Sequence, residues 1–291
     1  MHWLVEVVIL TRVHFLKQKN GQNPMNSIKQ ALEEALCRGG AILKNGFEQP
    51  KSIRYKSSAN LVTKTDRALE LAIAKIIRKK FPHHMILGEE MGLRQAGKSP
   101  VGAQGAAQPK WIIDPIDGTT NFAHGLPLAC VSIAFESEGE IKLGGVFNPL
   151  MNELFLAEKG RGATLNGKSI CVSSVKTLKE SLLVTGFPYG GKTKMPYYLR
   201  FFESFTFKTH GVRRLGSAAI DLCYVACGRL DGFWEFNLNV WDIAAGYLIL
   251  KEAGGRLTDF HGNPINIYGK ELLASNNRIH GSMLNVIRKH L

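Results

Sequence analysis

The chain has 291 residues, 45% of them hydrophobic and 21% charged, enough apolar material for one large core or two cores side by side. A formal net charge of +13 favours anionic partners such as phosphorylated metabolites, nucleic acid or a membrane surface. No low-complexity tract or short-period repeat is present, which excludes fibrous and repeat classes; with no run of five like charges and no recognised nucleic-acid motif, the charge reads as a dispersed solvated surface.

Residues 1–24 stand apart. MHWLVEVVIL is apolar but too short to span a bilayer, and it lacks the basic start and small-residue cleavage site of a signal peptide. The expectation is a loose extension, with the fold beginning near Met25 and no association with membranes. Five cysteines (Cys37, Cys130, Cys171, Cys223, Cys227) are odd in number and form no Cys-x-x-Cys pair, which reads as reduced thiols in cytoplasm.

From Met25 an amphipathic helix places Ile28, Leu32, Ala35, Leu36, Ile42 and Leu43 on one side, with Ser27 and Gln30 as a capping box. A second long helix follows NLVTKTD, capped by Thr65 or Asp66, with Leu69, Ile73, Ile76 and Ile77 facing inward. HHMILGEEMG reads as a short strand ending at Gly88 and two glutamates, and residues 94–110 as a surface loop. WIID is a strand, and ACVSIAFESEGEIKLGGVFNPLMNELFLAEKG gives three more joined by turns, an antiparallel sheet. From about Leu182, strands (SLLVTGF, GVRRLG, DGFWEF, GRLTDF) alternate with helices (MPYYLRFFESFTFK, SAAIDLCYVACGRL, WDIAAGYLILKEAGG). That alternation predicts an α+β half over 25–178 and an α/β half over 179–291, sharing one site between them.

WIIDPIDGTTNF, residues 111–122, carries the chemistry. Asp114 precedes Pro115 and is held extended, whereas Asp117 precedes Gly118, Thr119 and Thr120, a sequence that opens a helix. Two hard oxygen donors thus lie beside backbone N–H groups suited to phosphate. Carboxylates without histidine or cysteine favour Mg2+ or Mn2+ over zinc. The same pair would also serve as helix caps or in turns. Glu89, Glu90 and Asp242 add acidic groups that would repel one another unless cations lay among them. Glu90, next to Glu89 on a strand, should point the other way.

GEE at 88–90, WIIDPIDGTTNF at 111–122, GSAA at 216–219 and WDIAAGYLILKEAGG at 241–255 together resemble the inositol monophosphatase family, most closely its bacterial, extragenic-suppressor type. The resemblance spans about residues 25–290. It implies a layered αβαβα fold, shared with fructose bisphosphatase, and hydrolysis of myo-inositol monophosphate dependent on two to three Mg2+ ions, with Mn2+ as a substitute. By position, Glu89, Asp114 and the Ile116 carbonyl would hold one ion, and Asp114, Asp117 and Asp242 a second, lithium-sensitive one. A third would lie near Glu89. Thr119, oriented by Asp66, would help activate the attacking water; Gly118 and Thr119 would receive the phosphate. Glu235 and the Ala218 backbone would hold substrate hydroxyls, and Lys56 matches a lysine near the phosphate. The family also implies a dimer, strong or weak. Relatives acting on adenosine bisphosphate, NADP or histidinol phosphate share the metal motif. Others of the suppressor type act with the transcription machinery, which makes RNA or RNA polymerase the alternative partner.

Overall fold

The computed structural model describes residues 24–49, 53–55, 61–95, 108–188 and 192–291. Most of the 1–24 extension, Lys56 and most of the 94–110 loop lie outside them. In chain order the elements are α1 (Pro24–Phe47), β1 (Ile53–Tyr55), β2 (Leu61–Thr63), α2 (Lys64–Lys80), β3 (Met85–Gly88), β4 (Gly92–Gln95), β5 (Lys110–Asp117) and α3 (Thr119–Ala123). Next come β6 (Cys130–Ser137), β7 (Glu140–Asn148), β8 (Glu153–Glu158), β9 (Ala163–Leu165), β10 (Lys168–Ser169), β11 (Leu182–Thr185), α4 (Met195–Thr206) and β12 (Gly211–Arg213). The chain ends with α5 (Ala218–Ala226), β13 (Gly232–Phe236), α6 (Val240–Glu252), β14 (Arg256–Thr258), β15 (Glu271–Ser275) and α7 (His280–Ile287).

Two large sheets organise these elements. One has eight strands in the order β10-β9-β8-β7-β6-β5-β3-β4, the other five in the order β12-β11-β13-β15-β14. The first is antiparallel except for β3 beside β5, and the second is mixed, with β11 parallel to both β12 and β13. Three apolar clusters fill the spaces between layers. Leu32, Leu36, Leu69 and Ile73 pack with Trp111, Ile133 and Phe135 beneath α1 and α2. Ile220, Leu222, Ile243 and Leu248 of α5 and α6 pack with residues of both sheets. Phe201, Phe205 and Met283 cover the outer face of the second sheet with Trp234 and Leu273. The order is therefore helix, sheet, helix, sheet, helix, the layered α/β arrangement the sequence predicts. All eight strands of the first sheet precede residue 170 and all five of the second follow residue 181. The central helices are buried on nearly every side, which is why they read as continuously apolar rather than amphipathic.

Several local expectations need correction. Helix α1 begins at Pro24 and α2 at Lys64, so Ser27, Thr65 and Asp66 lie within first turns instead of capping them. Proline suits such a start because its missing N–H would be unpaired there anyway. Ile42 and Ile76 are half-buried, not fully inward. Glu89 and Glu90 sit in the turn between β3 and β4, so strand alternation does not govern them. Elements β4, β15 and α7 had no counterpart in the sequence reading. All five cysteines are free. Among the described residues no helix is long and apolar enough to cross a membrane.

Helix α7 is tied to the second sheet by His280, which is 1% exposed. Its Nδ1 lies 2.9 Å from Ser275 Oγ and its Nε2 3.0 Å from Thr258 Oγ1. Because the Thr258 hydroxyl donates to the Asp259 carbonyl, Nε2 donates to Thr258, and in the neutral ring Nδ1 accepts from Ser275. Burial, with the Arg256 charge, pushes His280 from 6.5 to about 4. A depressed histidine stabilises the fold above the unfolded value, and that contribution is lost as pH falls from 6.5 towards 4, by up to about 3 kcal/mol. Denaturant unfolding of wild type and His280→Gln between pH 7 and 4 should show a shallower decline in the variant; parallel declines would contradict this assignment.

Candidate active site

A cavity of about 220 Å³ opens where the two sheets and the central helices meet. Glu89, Asp114, Asp117, Gly118, Thr119, Ala218, Glu235 and Asp242 all line it. Residues 125 positions apart in sequence, Asp117 and Asp242, thus face the same space. Asp66 and Ile116 lie behind the wall and connect to it through Thr119. Its Oγ1 donates to the Ile116 carbonyl at 2.9 Å and lies 3.4 Å from Asp66 Oδ1. Lys56 lies outside the described residues.

The backbone explains how strand β5 delivers two aspartates to one cavity. In a regular strand, residues three apart point to opposite faces. Here Asp114 pairs with Ser132 and Asp117 with Cys130, so three steps on β5 oppose two on β6. The extra residue is a β-bulge that returns Asp117 to the side of Asp114. Pro115, with no N–H to offer the ladder, falls inside that irregularity, where its loss costs least. The chain then turns at Gly118, whose φ of 92° leads into α3. A Cβ there would lie 2.6 Å from the Leu128 carbonyl oxygen, so the turn admits only glycine.

Each remaining carboxylate is placed by an element end. Gly88 of β3 pairs with Ile113 of β5, and the Glu89 N–H donates to the Ile113 carbonyl, so Glu89 emerges alongside Asp114. The Asp117 carboxylate docks on the start of α5, where Oδ2 accepts from the Ser217 hydroxyl and from the Ala219 N–H, both at 2.7 Å. Ser217 also caps that helix by accepting from the Ile220 N–H. Asp242 is not the N-cap of α6. Asn239 holds that position, and Asp242 completes a capping box by accepting the Asn239 N–H at 2.6 Å.

These groups are strained electrostatically. Asp114 is 2% exposed and its Oδ1 has no hydrogen-bond partner. Burial, then the charges of Glu89, Asp117, Asp242 and Asp66, push its carboxyl well above the usual range. Burial raises Asp117 to about 6 despite the Ser217 and Ala219 donors, and raises Asp242 to about 8 with the Asp117 charge second. Glu235 is also raised, by burial and then by Asp242 and Asp117, against the opposing charge of Arg214. Among the described residues no three His, Cys, Asp or Glu side chains already form a cage for a metal ion; the carboxylates stand around the cavity instead. An orphaned buried carboxylate oxygen amid like charges, in an all-oxygen donor set, nevertheless fits a hard divalent cation.

Sequence reading missed three groups here. Arg214 lines the cavity and brings a cation near Glu235 and Asp221. Asp221 is buried in α5 with an unpartnered Oδ1. Glu70, four residues after Asp66 and so on the same face of α2, carried a signal in that spacing alone.

The profile of the inositol monophosphatase family matches residues 25–291. An inositol-1-monophosphatase of Synechocystis is 43% identical over 248 residues, covering 85% of this chain and 84% of that protein. The Nus factor SuhB of Pseudomonas aeruginosa is 42% identical over 242 residues, covering 82% and 87%. The crystal structure of the extragenic suppressor protein suhB from Bartonella henselae superposes with a TM-score of 0.82 at 35% identity, covering 91% of this chain and 99% of that one. Fold, cavity and relatives together define a phosphatase. The chain belongs to the inositol monophosphatase family, whose members are generally metal-dependent.

The raised carboxyls make stability depend on pH in a defined direction. Asp242 is protonated in the metal-free fold up to about pH 8 but ionises near 3.8 when unfolded. Its contribution is therefore present below pH 4 and lost as pH rises through 8; Asp117 adds a similar loss ending near pH 6. Melts in chelator should fall in temperature between pH 5 and 9, and any gain on adding a divalent cation should grow over the same range. Asp242→Asn should flatten both trends, and equal trends in that variant would refute the assignment.

Proposed function

We propose that the chain hydrolyses myo-inositol monophosphate to inositol and inorganic phosphate, using Mg2+ held among the cavity carboxylates. The observation that carries this reading is the buried, unpartnered Asp114 Oδ1 facing a cavity whose other acids raise its pKa. In this reading Glu89, Asp114 and the Ile116 carbonyl hold a first ion, and Asp114, Asp117 and Asp242 a second, with a third near Glu89. The Ile116 carbonyl accepts one hydrogen bond from Thr119 and keeps a second lone pair for this purpose. When bound, such ions make water nucleophilic near neutral pH and neutralise phosphoryl oxygens. Mn2+ would substitute, and lithium would compete at the second site.

The chain's own groups supply the rest. Water attacks phosphorus, the ester P–O bond breaks, and the departing inositol oxygen takes up a proton from solvent water, balancing the one the attacking water gives up. In this reading Thr119 Oγ1 receives a proton from the attacking water and passes one to Asp66, a role supported by its hydrogen bonds to Ile116 O and Asp66 Oδ1. Gly118 and the first turn of α3 receive the phosphate. Glu235 and the Ala218 backbone accept and donate to the ring hydroxyls, and unmatched polar groups there penalise other esters. Residues 25–178 and 179–291 then act as two halves contributing to one site, in a cytoplasmic dimer.

A second reading rests on the Nus factor SuhB name of a relative and on the +13 charge: association with RNA or RNA polymerase, independent of turnover. The two separate cleanly. Phosphate release from inositol monophosphate, adenosine bisphosphate, NADP and histidinol phosphate should be measured with Mg2+ and with chelator. The proposal expects Mg2+-dependent turnover favouring the inositol ester, and a loss of at least about a hundredfold in Asp114→Asn and Asp242→Asn with the fold intact. Preference for another ester would discard the role of Glu235. No turnover on any ester, with salt-dependent RNA binding that survives Asp114→Asn, would establish the second reading instead.

A further inference from the structure

Helix α2 buries two acids on its apolar stripe: Asp66, which meets Thr119, and Glu70 one turn later. Glu70 has no exposed surface. A carboxylate in that position is costly unless hydrogen-bonded, and its partners are specific. Oε2 accepts the Glu90 N–H at 2.9 Å and Oε1 accepts the Met91 N–H at 3.1 Å. These two N–H groups belong to the three-residue turn, Glu89 to Met91, that joins β3 to β4 after the Gly88–Gly92 pair. Gly88 makes the approach feasible, because a Cβ there would overlap the Glu70 carboxylate. Of the turn residues, only Glu89 lines the cavity.

We propose that Glu70 is a positioning residue: its carboxylate clamps the turn through two adjacent backbone N–H groups and thereby aims Glu89 at the cation. The inference rests on the metal-holding role given to Glu89 above. The chemistry explains why an acid stands here. Here each of the two neighbouring N–H donors meets its own oxygen, and a carboxylate supplies both. A glutamine supplies one and turns its NH2 group against the other donor, which frees half of the clamp. Helix α2 thus sets the spacing of Asp66, behind Thr119, and of the turn that carries Glu89, from one rigid face.

The test compares wild type, Glu70→Gln and Glu70→Asp with Ile73→Val, a buried change in the same helix that lowers stability and removes no hydrogen bond to the turn. Mn2+ binding, followed by electron paramagnetic resonance of the free ion, reads the metal site without turnover. Melting temperature in chelator reads stability, and Mg2+ activation curves give the metal constant separately from KM for the ester. Glu70→Gln should weaken Mn2+ binding and raise the Mg2+ requirement about tenfold, leaving KM within about twofold. Ile73→Val should lower the melting temperature and leave the metal constants unchanged, and Glu70→Asp, which keeps both oxygens, should recover part of the loss. Wild-type Mn2+ affinity in Glu70→Gln, or an equal loss in Ile73→Val, would overturn the inference. If Glu70→Gln does not fold, Gly88→Ala poses the same question from the other side of the contact, with the same expected and overturning results. Weakened Mn2+ binding in a protein that cleaves no phosphate ester would sustain the clamp and refute the substrate reading. Mg2+-dependent turnover with unchanged metal constants in Glu70→Gln would do the reverse.

Discussion

Holding Glu89, Asp114, Asp117 and Asp242 around one recessed cavity works against desolvation and against like-charge repulsion at once, and much of the surrounding structure consists of what keeps them there. Each is anchored by something other than its own side chain's preference. Asp114 and Asp117 are fixed by a bulged strand between antiparallel and parallel neighbours. Asp117 and Asp242 are also bound at the starts of α5 and α6, where unpaired N–H groups and the helix dipole favour negative charge. Glu89 rides on a turn held by Glu70. A cation held there, as proposed, would offset a repulsion that these anchors otherwise resist alone, and cation affinity and fold stability would then be linked through the same groups.

The layered architecture follows from the same need. One sheet alone could supply Asp114, Asp117 and Glu89, but the N–H groups that receive the Asp117 carboxylate belong to α5, which packs between the two sheets. Asn121 adds a second link, its Nδ2 donating to the Leu128 carbonyl at 2.8 Å and to the Leu215 carbonyl at 2.7 Å. The site is therefore built across the seam, and α5 and α6 are apolar nearly all round because both sheets bury them.

Much of the fold was legible because its signals are local. Alternating strands in the antiparallel half, the amphipathic stripes of α1 and α2, and the strand–helix alternation after residue 182 each repeat over several residues. The resemblance carried by GEE, WIIDPIDGTTNF, GSAA and WDIAAGYLILKEAGG pointed to Glu89, Asp114, Asp117 and Asp242, which all line the cavity, before any contact was known. Helix starts were less legible: Pro24 and Lys64 begin their helices ahead of the Ser27, Thr65 and Asp66 caps expected from sequence. Elements β15 and α7 went unread because a strand of five residues inside the second sheet and a helix of eight are too short to show a marked local periodicity.

By itself the sequence determined the residue types that make the chemistry feasible: hard oxygen donors near glycine and threonine, separated by a proline that forbids continuous pairing. It also determined the family and the run of strands and helices in each half, apart from β4, β15 and α7. Only the tertiary structure decided which acids share a cavity, that an extra residue in β5 turns Asp114 and Asp117 to one side, and that Asp242 completes a capping box. It alone revealed Glu70, an acid hidden in an apolar stripe, because its partners are backbone N–H groups twenty residues away. Backbone donors carry no residue identity, so a contact made with them leaves no mark in the sequence until the fold brings them together.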